Sequence, residues 1–203
     1  MAVFFFVWVR KMGVEYELKY ASSEEAQAGI RQFLGGQWMQ WQMRTTYYDT
    51  PDGTLASRKW TLRHRLENDT HICTLKTPAG DARGEWEVEC PQIELAIEKL
   101  CKLGAPAELA VLTQNGVQPV CGAQFTRLAS TVSGNGGVVE VALDRGILFA
   151  GQRQEPLCEV EVELKSGSRE AADAFAGELA ERFGLKILKA SKFKRALALR
   201  ENT

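Results

Sequence analysis

The chain is poor in the residues that usually announce a site. It has two histidines and five cysteines in 203 residues, and Cys73, Cys90, Cys101, Cys121 and Cys158 never form a C-x-x-C pair. An odd number of cysteines without that spacing argues against both a disulfide framework and a zinc cluster, so they read as reduced, cytoplasmic thiols. His64 lies between Arg63 and Arg65 and reads as structural, while His71 borders a turn. No serine, histidine and aspartate assemble into a nucleophilic set, and neither a Walker-type loop nor a G-x-G-x-x-G loop is present. Any phosphate binding must therefore use side chains rather than a glycine-rich backbone cradle.

Excess charge and long apolar runs are missing as well. With 25 basic and 26 acidic residues the formal charge is -1. No general positive potential exists to hold nucleic acid, and a polyanion site has to be a local concentration of charge. The apolar opening Met1-Ala2-Val3-Phe4-Phe5-Phe6-Val7-Trp8-Val9 is far short of a membrane span and lacks a basic leader and a cleavage site. No membrane partner is expected. The reading adopted is a single domain over residues 1–203 with its core at 14–200. Residues 1–11 are then an N-terminal extension ahead of a natural start at Met12, or else an extra strand. The same apolar segment is a candidate contact for a homodimer.

What the chain does have is glutamate at every second position in three stretches, Glu15-Tyr16-Glu17, Glu85-Trp86-Glu87-Val88-Glu89 and Glu159-Val160-Glu161-Val162-Glu163. Strand side chains alternate, so each run puts its carboxylates on one face and its apolar residues on the other. Trp86 accordingly points toward a core. Carboxylates two apart on a strand are roughly 6.5 to 7 Å from each other, too far to chelate an ion alone, so neighbouring strands must complete any shell. Glu15, Glu17, Glu159, Glu161 and Glu163, with Asp144, are the candidate ligands, and oxygen donors of this kind suit Mg2+ or Mn2+. The competing reading is an ordinary solvated acidic face. Arg63, Arg65, Lys76, Arg83, Arg127 and Lys192 form the opposite set, whose forks and point charges match phosphate oxygens. Taken singly, each also reads as a surface partner for a nearby glutamate.

Periodicity predicts strands at about 14–20, 40–49, 60–67, 71–77, 84–90, 123–133, 137–143, 146–150 and 156–165. Helices are predicted after Ser22-Ser23, after Pro91, at 106–114, after Ser168 and at 191–200. The tight turns between strands imply antiparallel neighbours. Closed into a barrel, such strands give the charged residues a shared interior; laid flat, they leave them in water. Spacing alone permits both.

Seven elements occurring in order resemble the CYTH superfamily, the triphosphate tunnel metalloenzymes, over residues 14–197. They are Glu15-Tyr16-Glu17-Leu18-Lys19, Tyr47-Tyr48-Asp49-Thr50-Pro51, Leu62-Arg63-His64-Arg65, Leu75-Lys76, Arg83-Gly84-Glu85, Ala142-Leu143-Asp144-Arg145-Gly146 and Cys158-Glu159-Val160-Glu161-Val162-Glu163-Leu164. The resemblance implies an α+β fold, an eight-stranded antiparallel β-barrel forming a tunnel flanked by helices. It implies metal at Glu15, Glu17, Glu159, Glu161, Glu163 and Asp144, and phosphate binding at Lys19, Arg63, Arg65, Lys76, Arg127 and Lys192, oriented by Glu85. The implied activity is metal-dependent hydrolysis of inorganic triphosphate, with Lys19 as the candidate acceptor of the water's proton. The same ligands would serve a class IV adenylate cyclase or a thiamine triphosphatase, for which Trp38 or Trp41 offers an aromatic platform, and a noncatalytic polyphosphate or nucleotide sensor.

Overall fold

The computed structural model describes residues 12–80, 82–134 and 136–201. The extension or extra strand expected at 1–11 lies outside them. The chain divides into two compact units, one built from Thr45–Val120 with the described residues up to Val14, the other from Glu15–Arg44 and Cys121 onward.

The first unit holds β1 (Met12–Glu15) up to Val14, the second half of β3 (Met39–Asp49), α2 (Thr54–Ser57), β4 (Thr61–Glu67), β5 (Thr70–Ala79), β6 (Ala82–Glu89), α3 (Ile93–Lys102) and α4 (Glu108–Leu112). Its strand order is β1-β6-β5-β4-β3, with β4, β5 and β6 joined antiparallel. Alternation separates the faces. Leu62, Cys73, Leu75 and Val88 pack against Ile93, Ala96 and Leu100 of α3 and Leu109 of α4, with Trp86 against the same cluster as its alternation with Glu85 and Glu87 predicts. Fully burying a leucine contributes about 1.5 to 3 kcal/mol, so this apolar face fixes which way the charged face turns. Asp49 ends β3 and caps α2, its buried carboxylate accepting from the backbone N–H groups of Thr50, Leu55 and Ala56 at 2.7, 2.9 and 3.1 Å.

The second unit holds β2 (Glu17–Ala21), α1 (Glu24–Leu34), the first half of β3, β7 (Gln118–Gly134) from Cys121, β8 (Gly137–Ala150), β9 (Arg153–Gly167), α5 (Arg169–Phe183), β10 (Lys186–Ile187) and α6 (Lys192–Glu201). Its strand order is β7-β8-β9-β2-β10, antiparallel at each pairing. Val141, Leu143, Val160 and Val162 pack with Tyr20, Ile30 of α1 and Ala172, Ala176 and Leu179 of α5. Both helices open as the sequence predicts, with a serine hydroxyl accepting a backbone N–H. Ser23 takes that of Ala26 and Ser168 that of Ala171, each at 3.2 Å. No described helix is long and apolar enough to cross a membrane.

Antiparallel strands with flanking helices are the expected class, but the described residues form ten strands rather than eight. The predicted strand at 14–20 is broken at Tyr16, whose hydroxyl donates to Asp173 of α5 at 2.6 Å and whose ring lies under Arg169, 4.8 Å from the guanidinium carbon. The predicted strands at 137–143 and 146–150 are one strand, β8. Asp144-Arg145-Gly146 does not turn, because Gly146 lets the backbone of β7 approach closely: a Cβ there would strike Gln124 and Phe125.

Candidate functional site

In the second unit, register arranges one sheet face into rows. Arg127 of β7, Asp144 of β8, Glu159 of β9 and Ala21 of β2 are successive partners. The next row runs Ala129, Ala142, Glu161 and Lys19, and the third Thr131, Glu140, Glu163 and Glu17. Period-two alternation puts all three rows on the same side. The start of α6 brings Lys192 to the same face, beside Glu161.

Asp144, Glu159 and Glu161 form the centre, each offering a carboxylate oxygen within 4.8 Å of the others. They are 0%, 1% and 9% exposed, a burial that carboxylates tolerate only when paired. The Lys192 ammonium is 2.8 Å from Asp144 Oδ2, 2.6 Å from Glu159 Oε2 and 2.7 Å from Glu161 Oε1. Arg127 grips Asp144 with both prongs, Nε to Oδ1 at 2.7 Å and Nη2 to Oδ2 at 2.6 Å, and also donates to Glu161 Oε2. Arg195 donates to Glu159 Oε1 and, at 2.7 Å, to Glu155. The Phe125 ring lies beside the cations, 5.4 Å from Lys192 Nζ and 5.8 Å from the Arg127 guanidinium carbon.

The electrostatics follow from this crowding. Burial pulls the Lys192 ammonium down, but Asp144, Glu161 and Glu159 outweigh it and hold its pKa above the lysine value. Burial likewise opposes ionisation of Glu161, yet Lys192, Arg127 and Lys19 keep its carboxyl well below the usual range. Glu159 is pushed up, because burial there exceeds the pull of Lys192. Burial works against Arg127 too and is overcome by Asp144 and Glu161.

The remaining predicted ligands lie apart from this cluster. Glu17 and Glu163 share its face one row on; Glu17 accepts from Lys19 at 2.6 Å and Glu163 from Lys165 at 2.8 Å. Glu15 is buried at the end of β1 and is not among the clustered carboxylates. In the first unit Lys76 lies 3.1 Å from Glu85, and Arg63 lies 3.8 Å from Glu85 and 3.5 Å from Glu87. Arg65 donates to Thr45 Oγ1 at 3.1 Å and pairs with Glu67 at 3.6 Å. Arg83 shares the β6 face of Glu85 at the hairpin end, opposite Pro78. Arg65, Lys76 and Glu85 are buried. His64 stacks on His71, with Nε2 2.9 Å from Nδ1, the structural part expected of it.

Two neighbours of the cluster were missed by sequence reasoning. Arg195 is three residues after Lys192 on a helix, a spacing that places both on one face and offered the only local signal. Gln27 of α1 gave none. Its side-chain amide shares its hydrogens among the carbonyls of Asp144 and Glu159, at 3.2 and 3.0 Å, and Ser22 Oγ at 3.2 Å. Trp38, weighed as an aromatic platform, packs against the second unit's core and donates to the Gly35 carbonyl at 3.0 Å.

The model of the CYTH domain family matches residues 13–197. An inorganic triphosphatase of Haemophilus influenzae is 31% identical over 192 residues, covering 91% of this chain and 54% of that protein. The chain thus spans about half the length of the relative it matches. Among solved structures, a Pyrococcus horikoshii protein is similar with a TM-score of 0.63 at 23% identity, covering 91% of this chain and 98% of that one. A Hippeastrum protein, described under an adenylyl cyclase name as having a dominant triphosphatase activity, has a TM-score of 0.60 at 16% identity over 91% of this chain and 95% of that one. These two likenesses concern the fold alone.

Proposed function

Because the chain belongs to the CYTH domain family, we propose that it is a metal-dependent inorganic triphosphatase, cleaving triphosphate to diphosphate and phosphate. The observation that carries this reading is the buried trio Asp144, Glu159 and Glu161 enclosed by Lys192, Arg127 and Arg195. Buried ion pairs of this density contribute little net stability compared with apolar packing, so their presence favours a chemical use.

The donor set fits Mg2+ or Mn2+, being all carboxylate oxygen within a few ångströms. Asp144, Glu159 and Glu161 would hold the ion, with Glu17, Glu163 and Glu15 as further acidic groups. A bound divalent ion supplies neutralisation of phosphoryl charge and a more acidic water. The protein's own cations do the rest. Lys19, Arg127 and Lys192 bind phosphoryl oxygens and stabilise the charge that spreads over them during transfer; Arg63, Arg65, Lys76 and Arg83 are the phosphate-binding candidates of the first unit. Glu85, 3.1 Å from Lys76, orients that ammonium. In its neutral amine form Lys19 would take the proton of the attacking water. The name of the Haemophilus influenzae relative supports triphosphate as substrate.

The test is phosphate release from triphosphate, ATP and thiamine triphosphate, each with Mg2+, with Mn2+ and with a chelator. Triphosphate is expected to turn over fastest, and chelation to abolish it. Cyclic AMP and diphosphate from ATP would instead identify a cyclase, preferred cleavage of thiamine triphosphate a thiamine triphosphatase, and tight binding without turnover of any of the three a sensor.

A further inference from the structure

Each carboxylate of the central trio divides its oxygens between two kinds of cation. Glu159 gives Oε1 to Arg195 and Oε2 to Lys192; Glu161 gives Oε2 to Arg127 and Oε1 to Lys192. Asp144 gives Oδ1 to Arg127 and shares Oδ2 between Arg127 and Lys192. Lys192 touches one oxygen of each carboxylate, at 2.6 to 2.8 Å, sharing only that of Asp144 with an arginine. A divalent ion using those three oxygens, at about 2.0 to 2.1 Å for Mg2+, would claim the space the ammonium fills. The two cannot be held together.

Of the three cations Lys192 is the one built to leave. The arginines are planar forks fixed by two or more bonds, whereas lysine carries a compact charge on a flexible four-carbon stem. It also stands at the first turn of α6, so its departure requires no strand to shift. We infer that Lys192 is an internal counter-ion that a divalent cation must displace, and that a phosphate chain receiving the displaced ammonium makes metal and polyphosphate bind cooperatively. This rests on the metal-dependent reading above.

The energetics give the sign. Expelling a buried ammonium from three carboxylates opposes metal entry when no anion is there to receive it. A phosphate oxygen in reach relieves that cost, so each ligand raises the affinity for the other by the same factor. The ion-free protein is therefore a weak metal binder despite its concentrated negative charge, and the protein is spared self-repulsion among three buried carboxylates.

The experiment is a titration of Mn2+, read as free-ion signal by electron paramagnetic resonance, with and without a nonhydrolysable methylene-bridged triphosphate. Wild-type protein is expected to bind Mn2+ about tenfold or more tightly when the analogue is present. Lys192→Met should bind Mn2+ more tightly than wild type without the analogue and lose most of the coupling. Lys194→Met, which removes an exposed charge two residues along the same helix, should match wild type. A companion measurement needs no variant: Lys192, 6% exposed, should resist acetic anhydride in metal-free protein and become severalfold more reactive when Mn2+ alone saturates the site. Equal Mn2+ affinity with and without analogue, or continued protection of Lys192 at saturating Mn2+, overturns the exchange while leaving a metal site intact. No Mn2+ binding by either protein, with or without analogue, overturns the metal-dependent reading and the exchange with it.

Discussion

A Cβ placed on Gly146 would lie 2.1 Å from the carbonyl oxygen of Gln124 on the adjacent strand. That separation is far inside contact distance, and the obstacle is backbone, which cannot rotate away. Gly146→Ala is therefore expected to push β8 from β7 and to lower stability by about 1 to 3 kcal/mol, measured by urea unfolding. Asp144 lies two residues back on β8 and faces Arg127 across the same pair of strands, so Mn2+ affinity should fall as well.

Removing Lys19 separates two roles for it. Its Nζ is 2.6 Å from Glu17 and it shares a register row with Glu161, a position suited to binding phosphate as the ammonium and to accepting a proton as the neutral amine. Lys19→Met is expected to lower kcat by about 100-fold or more while leaving Mn2+ affinity in place. Unchanged kcat with a raised KM would make it a phosphate clamp only.

The His64–His71 pair makes stability depend on pH. Burial, and then the neighbouring His71 ring, depress the His64 pKa below 6.5. As pH falls the unfolded chain gains this proton first, so the contribution is present above about 6.5 and is lost as pH drops through the lower folded value. The urea midpoint should decline from pH 7 toward pH 5, and His64→Gln should flatten the decline.

Asp49 offers a change in stability without a change in chemistry. Its carboxylate, 2% exposed, accepts three backbone N–H groups, and Asp49→Ala leaves those donors unsatisfied. A loss of about 1.5 to 3 kcal/mol is expected. Triphosphate turnover per folded molecule, checked well below the melting temperature, should be unchanged.

Much of this was legible in the chain. Alternation placed Glu159 and Glu161 on one face and Val160 and Val162 on the other, as found, because one side of the strand had to be apolar. Local chemistry likewise announced the Ser168 cap and the hairpin between β7 and β8. What the pattern could not convey was registry between strands distant in sequence. That Arg127, Asp144 and Glu159 occupy one row, while Glu17 and Glu163 fall in another, depends on pairings settled only when the core closes. The continuity of β8 was hidden for a related reason: Asp144-Arg145-Gly146 has turn-like composition, and only the approach of β7 explains a glycine within a strand.

Gln27 uses one uncharged amide to reach the main-chain carbonyls of Asp144 and Glu159 together. The main chain beneath those two acids is thereby tied to a helix that carries none of the clustered acids, so a neutral residue far away in the chain helps to anchor the charged centre.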